Sequence, residues 1–182
     1  MDTMRFLSYS TAVDGQLAPK LQNAIERFTA PWYRPRSLRI FRDSTNLSVS
    51  PDLWQAIESS IADVRFFILL ASPAAAQSKW EVQSWLNYHG SSRFLIVLTS
   101  GTIARDDVCN DVDWSKTDAL PKELAQAFSR EPLYADLRWA NEPERDLSLN
   151  NPMFAQAVLS AKTYSPLATM EKDASGRRSN HS

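Results

Sequence analysis

Cysteine is nearly absent from this chain: Cys109 is the only one. A disulfide framework is therefore excluded, and a reducing, cytoplasmic interior is the expected compartment. Histidine is almost as scarce. His89 and His181 are the two in the sequence, too few for a histidine-rich metal site, so no metal or cofactor is expected. There are four glycines and no Gly-rich phosphate fingerprint, which argues against Rossmann redox and P-loop chemistry. The formal net charge is −1, which provides no electrostatic pull toward nucleic acid or an anionic membrane. The longest apolar run, Phe66 to Ala76, is far too short to span a bilayer, and the N-terminus lacks a basic stretch leading into a long apolar one. The chain reads as soluble.

What is present is ordinary globular composition, with 43% hydrophobic residues, enough to bury one sizeable core in 182 residues. Arg5 to Ser10 is a short β-favouring run, and Thr11 to Gly15 reads as a loop. From Gln16 on, Leu17, Leu21, Ala24, Ile25 and Phe28 recur at helical spacing, and Pro31 and Pro35 end that helix. Leu38 to Phe41 is a second short strand. Arg42 to Ser50 is polar and rich in turn formers, so it reads as a loop. Ser50-Pro51-Asp52 is a helix start, with Leu53, Trp54, Ile57 and Ile61 on the buried face.

Val64 to Ala71 and Arg93 to Thr99 are nearly continuous apolar runs, the pattern of strands covered on both faces in a parallel sheet. Between them a helix begins at Ser78, with Val82, Trp85, Leu86 and His89 on one face. Gly101 to Asp118 reads as a long loop with little regular structure. Pro121 to Phe128 reads as a short helix and Leu133 to Leu137 as a last strand. Asn151-Pro152 opens a final helix with Phe154, Val158 and Ala161 inward. Residues 165–182 show no periodicity and read as a disordered tail behind a domain of residues 1–164. Strands alternating with helices predict a doubly wound α/β fold, flavodoxin-like, with a parallel sheet of up to five strands in the order 2-1-3-4-5 between two helical layers. Ligands of such sheets bind beyond the carboxyl ends of the strands.

Three blocks, in order, carry a resemblance. They are Phe6-Leu7-Ser8-Tyr9-Ser10; Phe41-Arg42-Asp43 with Ser44 to Ser50; and Leu70-Ala71-Ser72-Pro73 with Ser78-Lys79-Trp80. Together with Ala119-Leu120-Pro121 and Asp136-Leu137-Arg138-Trp139, over residues 4–162, they resemble the TIR (Toll/interleukin-1 receptor) domains of bacteria, which precede further domains.

The resemblance implies an NAD nucleosidase that splits NAD into nicotinamide and ADP-ribose products, by hydrolysis or cyclisation, when TIR domains self-assemble in signalling. As the alternative, it allows a catalytically silent module that recruits other TIR domains. It implies Glu81 as the catalytic carboxylate, with Ser8, Tyr9, Ser10, Arg42, Asp43 and Trp80 around the substrate. It also makes the loop carrying Leu47 and Val49 the self-association element.

One departure stands out. The family glutamate usually lies four residues past the tryptophan, where this chain has Ser84, whereas Glu81 adjoins Trp80 as if about three residues were deleted. Three residues of helix turn a side chain by roughly 300°, a change of face of about 60°. The residues alone leave a second reading open, because Ser78-x-x-Glu81 is also a capping box. Likewise Arg42–Asp43 reads equally as a surface ion pair, Tyr9 and Trp80 as packing, and His89 as a half-buried structural residue.

Overall fold

The computed structural model describes residues 5–29, 38–40, 55, 58–59, 61–77, 79–108, 111–128, 132, 134–142 and 144–163. The sheet runs through the middle of the chain. Its strands are β1 (Arg5–Ser8), β2 (Leu38–Ile40), β3 (Phe66–Ala71), β4 (Phe94–Leu98) and β7 (Tyr134–Asp136). They pair in parallel in the order β2-β1-β3-β4-β7. This is the flavodoxin-like α/β arrangement expected from the apolar runs. The strand order reverses direction between β1 and β3, which leaves a crevice at the carboxyl ends of those two strands.

Side chains alternate across the strands and build two cores. Leu7, Ile68, Leu70, Leu95 and Val97 point to one face. They meet Leu17, Leu21, Ala24 and Ile25 of α2 (Leu17–Thr29) and Phe154 and Val158 of α4 (Pro152–Thr163). Pro19 sits in the first turn of α2, where its missing N–H costs no helical hydrogen bond. Phe6, Phe67, Leu69, Phe94, Ile96 and Leu98 point to the other face. They pack on Val82 and Trp85 of α3 (Lys79–His89) together with Ile61, Ala119, Leu120 and Leu124. His89 stacks on Trp85 with ring centroids 4.1 Å apart, and its Nε2 lies 3.0 Å from the Ile61 carbonyl oxygen, so it is structural.

Two expected loops carry regular structure. Thr11 to Gly15 begins with a single helical turn, α1 (Thr11–Asp14), in which the Ser10 carbonyl accepts from Val13 N–H at 3.2 Å and Asp14 N–H at 2.8 Å. Four residues are too few to show a helical period. Within Gly101 to Asp118, β5 (Arg105–Asp106) and β6 (Asp111–Val112) form a small antiparallel pair whose two-residue strands show no alternation. Pro121 to Phe128 contains a 3-10 helix, Lys122–Gln126. The helix expected from Pro51 falls largely outside the described residues. So do the Arg42–Ser50 loop, Cys109 and the 165–182 tail. No helix among the described residues is long and apolar enough to cross a membrane.

Candidate active site

The site is built where β1 ends and α3 begins. Ser8, the last residue of β1, is buried, and strand alternation sends its side chain away from Leu7 and Tyr9. Its hydroxyl donates to Oε2 of Glu81, which is also buried, across 73 residues of sequence. Glu81 stands in the first turn of α3. Helical side chains lean toward the N-terminus of their helix, so this one leans back over the rim of the sheet. The positive end of the helix dipole supports negative charge there.

The approach to α3 is fixed locally. After β3, the Ser72 carbonyl accepts from Ala76 N–H at 2.9 Å, and Ser72 Oγ accepts from Ala75 N–H at 3.1 Å. A 3-10 turn, Ala75–Gln77, follows and delivers the chain to Lys79.

Helix geometry explains why Glu81 faces the sheet in spite of its displaced position. Trp85 is four residues on, about 40° away around the helix, and is fully buried against Phe67. The face that Trp85 anchors therefore includes Glu81. Ser84, at the position where the family glutamate is expected, is buried as well. A 60° change of face thus keeps the carboxylate on the sheet side. Trp80, beside it, is half-buried and packs on the same cluster as Val82 and Trp85.

Not every expected contact converges here. Tyr9 is 3% exposed and belongs to the core with Leu17, Leu21 and Val97, on the opposite face from Ser8. Strand alternation turns it into the core, which is the packing reading that the sequence left open beside a substrate contact. Ser10 is buried at the start of α1, and its backbone carbonyl closes that turn. Arg42 and Asp43 lie outside the described residues, as do Leu47, Val49 and the Ser78 of the capping-box reading.

The rim contains two residues that the sequence did not single out, Thr99 and Asn141, and the Asp136 and Arg138 of the last motif block. Thr99, just past β4, donates its hydroxyl to the Ala71 carbonyl at 3.2 Å, and its backbone N–H donates to the same oxygen at 2.9 Å. Asn141, past β7, donates its amide to the Thr99 carbonyl at 3.0 Å. Arg138 grips Asp136 with two nitrogens, Nε at 3.0 Å from Oδ1 and Nη2 at 2.6 Å from Oδ2, and reaches the Gly101 carbonyl at 3.4 Å. That guanidinium holds the Asp136 carboxyl below the usual carboxylate range.

Gly101 itself has φ +79°, and a Cβ there would lie 2.8 Å from the Pro73 ring and 2.6 Å from Asp118 Oδ1. Asp118 Oδ1 already accepts the Thr102 N–H. Gly101→Ala is therefore expected to destabilise the fold by about 1–3 kcal/mol, from backbone strain and the clash with the segment leading to α3. A chemical denaturation curve measures it, and an unchanged midpoint would refute the tight approach.

No family model matches the chain. Over 156 residues it is 44% identical to NAD(+) hydrolase ApTIR of Actinoplanes sp.. The aligned stretch takes in 84% of this chain and 22% of that protein, so the chain spans about a fifth of the relative it matches. This chain is a TIR domain of the bacterial type. The match agrees with the motifs on β1, β3 and α3. Within this TIR domain, Ser8 and Glu81 meet at the carboxyl edge of the sheet, beside the change of strand direction.

Proposed function

We propose that this TIR domain cleaves NAD at the bond between nicotinamide and ribose, with Glu81 as the catalytic carboxylate. The observation that carries the reading is the hydrogen bond from Ser8 to Glu81 at the carboxyl edge of the sheet. The similarity to a protein named as an NAD(+) hydrolase supports it.

The chemistry suits a single carboxylate. As the glycosidic bond breaks, its electron pair goes to the cationic nicotinamide, which departs neutral and needs no acid to protonate it. The ribose gains oxocarbenium character, which a nearby negative charge stabilises, and water or an internal nucleophile then completes the reaction. Ser8 fixes the carboxylate, Trp80 walls the site, and Ser10 with Arg42 and Asp43 serves the phosphate and ribose end.

In this reading activity depends on assembly with further TIR domains in a cytoplasmic signalling setting, through the loop that carries Leu47 and Val49. Nicotinamide release by purified protein, dilute and then crowded or fused to a clustering tag, is the test. Release that rises with clustering is expected. Its absence under every condition would leave the interaction module as the function. Leu47→Ala is expected to weaken both clustering, read by light scattering, and the clustered activity. Both unchanged would remove Leu47 from the contact.

A further inference from the structure

A second carboxylic acid lies at the rim, and the proposed reaction does not use it. Asp14 closes α1 and is fully buried. Among the described residues, neither of its oxygens completes a hydrogen bond. The polar groups that approach it are the side chains of Thr99 and Asn141 and the backbone of Ser10. They follow β4, β7 and β1 respectively, so three strand ends converge on one side chain.

Two of those groups already donate elsewhere. The Thr99 hydroxyl donates to the Ala71 carbonyl, and the Asn141 amide donates to the Thr99 carbonyl. A hydroxyl has one hydrogen. Thr99 cannot give it both to Ala71 and to an ionised Asp14. A neutral Asp14 makes no such demand, because it brings its own proton and can donate it to the Thr99 oxygen. An ionised one, fully buried with only the second Asn141 N–H and the Ser10 backbone N–H to turn to, would be costly and would draw the Thr99 hydroxyl away from Ala71. Ala71 leads directly into Ser72-Pro73 and so to α3, which carries Glu81.

The surroundings favour the neutral form. Burial raises the Asp14 pKa above the ordinary carboxylate range, and it outweighs the opposing pull of Thr99, Asn141 and the Ser10 backbone. None of those groups is charged. The charged side chains on the adjoining elements, Lys20 of α2 and Glu142, Glu144 and Arg145 after β7, line a cavity of about 700 Å³ beside α1. Arg145 is engaged with Glu142, its Nε lying 2.9 Å from Oε2.

Resting on the reading of Glu81 as the NAD-cleaving carboxylate, we propose that Asp14 is a positioning residue. In its neutral, hydrogen-donating form it leaves Thr99 free to clamp Ala71, and so keeps the approach to Glu81 in register. Ionising it loosens the rim and lowers kcat with little effect on KM.

The experiment compares wild type, Asp14→Asn and Asp14→Ala in kcat, KM and Tm from acid to alkaline pH. Asp14→Ala is expected to lose about tenfold or more in kcat, the scale of a displaced reacting group. Asp14→Asn, a permanently neutral donor of nearly the same shape, should restore kcat. It should also abolish the fall in kcat with rising pH expected of wild type.

Stability provides a readout independent of activity. The folded protein holds the Asp14 proton more tightly than the unfolded chain does. Its stabilising effect is therefore full below about pH 4, the unfolded Asp value, and is lost as pH rises from there through the raised folded value. The Tm of wild type minus that of Asp14→Asn should decline with pH across that window. Parallel Tm curves, or Asp14→Asn as inactive as Asp14→Ala, would overturn the proposal.

If Asp14→Asn does not fold, a carboxyl ¹³C titration of wild type decides. One Asp titrating above the ordinary range upholds the neutral acid, and none doing so overturns it. Wild type that releases no nicotinamide at any pH, clustered or dilute, sinks the NAD reading. The Tm curves then judge Asp14 alone, upheld by a declining difference and overturned by parallel curves.

Discussion

Glu81→Gln is expected to reduce NAD cleavage by at least about a hundredfold, the low end for loss of a positioned electrostatic group. The substitution keeps size and a hydrogen-bond acceptor for the Ser8 hydroxyl, and removes only the charge. It also keeps the ability to close a capping box, since Gln serves there as well as Glu. The stability change should therefore stay below about 1 kcal/mol, no more than one ordinary hydrogen bond. This separation matters because Glu81 is open to two accounts, a helix cap and a reacting carboxylate. A cap predicts lost stability and intact chemistry on removal of the carboxylate, and leaves Gln nearly silent. A charge facing the ribose predicts the reverse. Nicotinamide release and a urea melt on the same preparations separate them. An active wild type matched by an equally active Glu81→Gln would remove Glu81 from the mechanism.

Much of the scaffold under that site was legible because burial on both faces writes itself into sequence. Val64 to Ala71 and Arg93 to Thr99 are almost wholly apolar, and they became the central strands β3 and β4, trimmed at ends where Arg65 and Arg93 reach the surface. Val82 and Trp85 marked the inner face of α3 for the same reason. The site was legible only in pieces. Ser8 and Glu81 could each be named from local motifs, but their contact joins residues 73 apart and is a product of topology. Tyr9 stood open between packing and substrate contact because a motif carries no face. Only the strand period, set by Leu7 before it, shows that it turns into the core. Asp14 was invisible for a different reason. A four-residue helix has no period, and an aspartate beside glycine resembles any polar turn until the fold buries it.

Phe67→Ala is expected to destabilise the protein by about 3–5 kcal/mol, against a typical total of about 5–15 kcal/mol. Phe67 sits on the central strand β3, and the parallel register places it directly beside Phe6 of β1 and Phe94 of β4. The three rings stack in a row, with centroids 5.2 Å and 4.9 Å apart and planes within 18° and 16°. Trp85 of α3 lies across the row, 5.5 Å from the Phe67 ring. Removing this ring opens a cavity bounded by two strands and a helix, so the lost transfer energy is joined by a cavity term that the sheet cannot relax away. Each aromatic pair broken adds about 0.5–1.5 kcal/mol beyond the area lost. Phe67→Leu, which leaves most of the volume filled, should cost clearly less. In urea the Phe67→Ala midpoint should fall while the slope stays constant, because the same surface is exposed on unfolding. A loss below about 1 kcal/mol would mean that α3 settles into the gap. Since Glu81 lies one turn before Trp85 on that helix, such settling would move the carboxylate off Ser8, and NAD cleavage would fall even though stability did not.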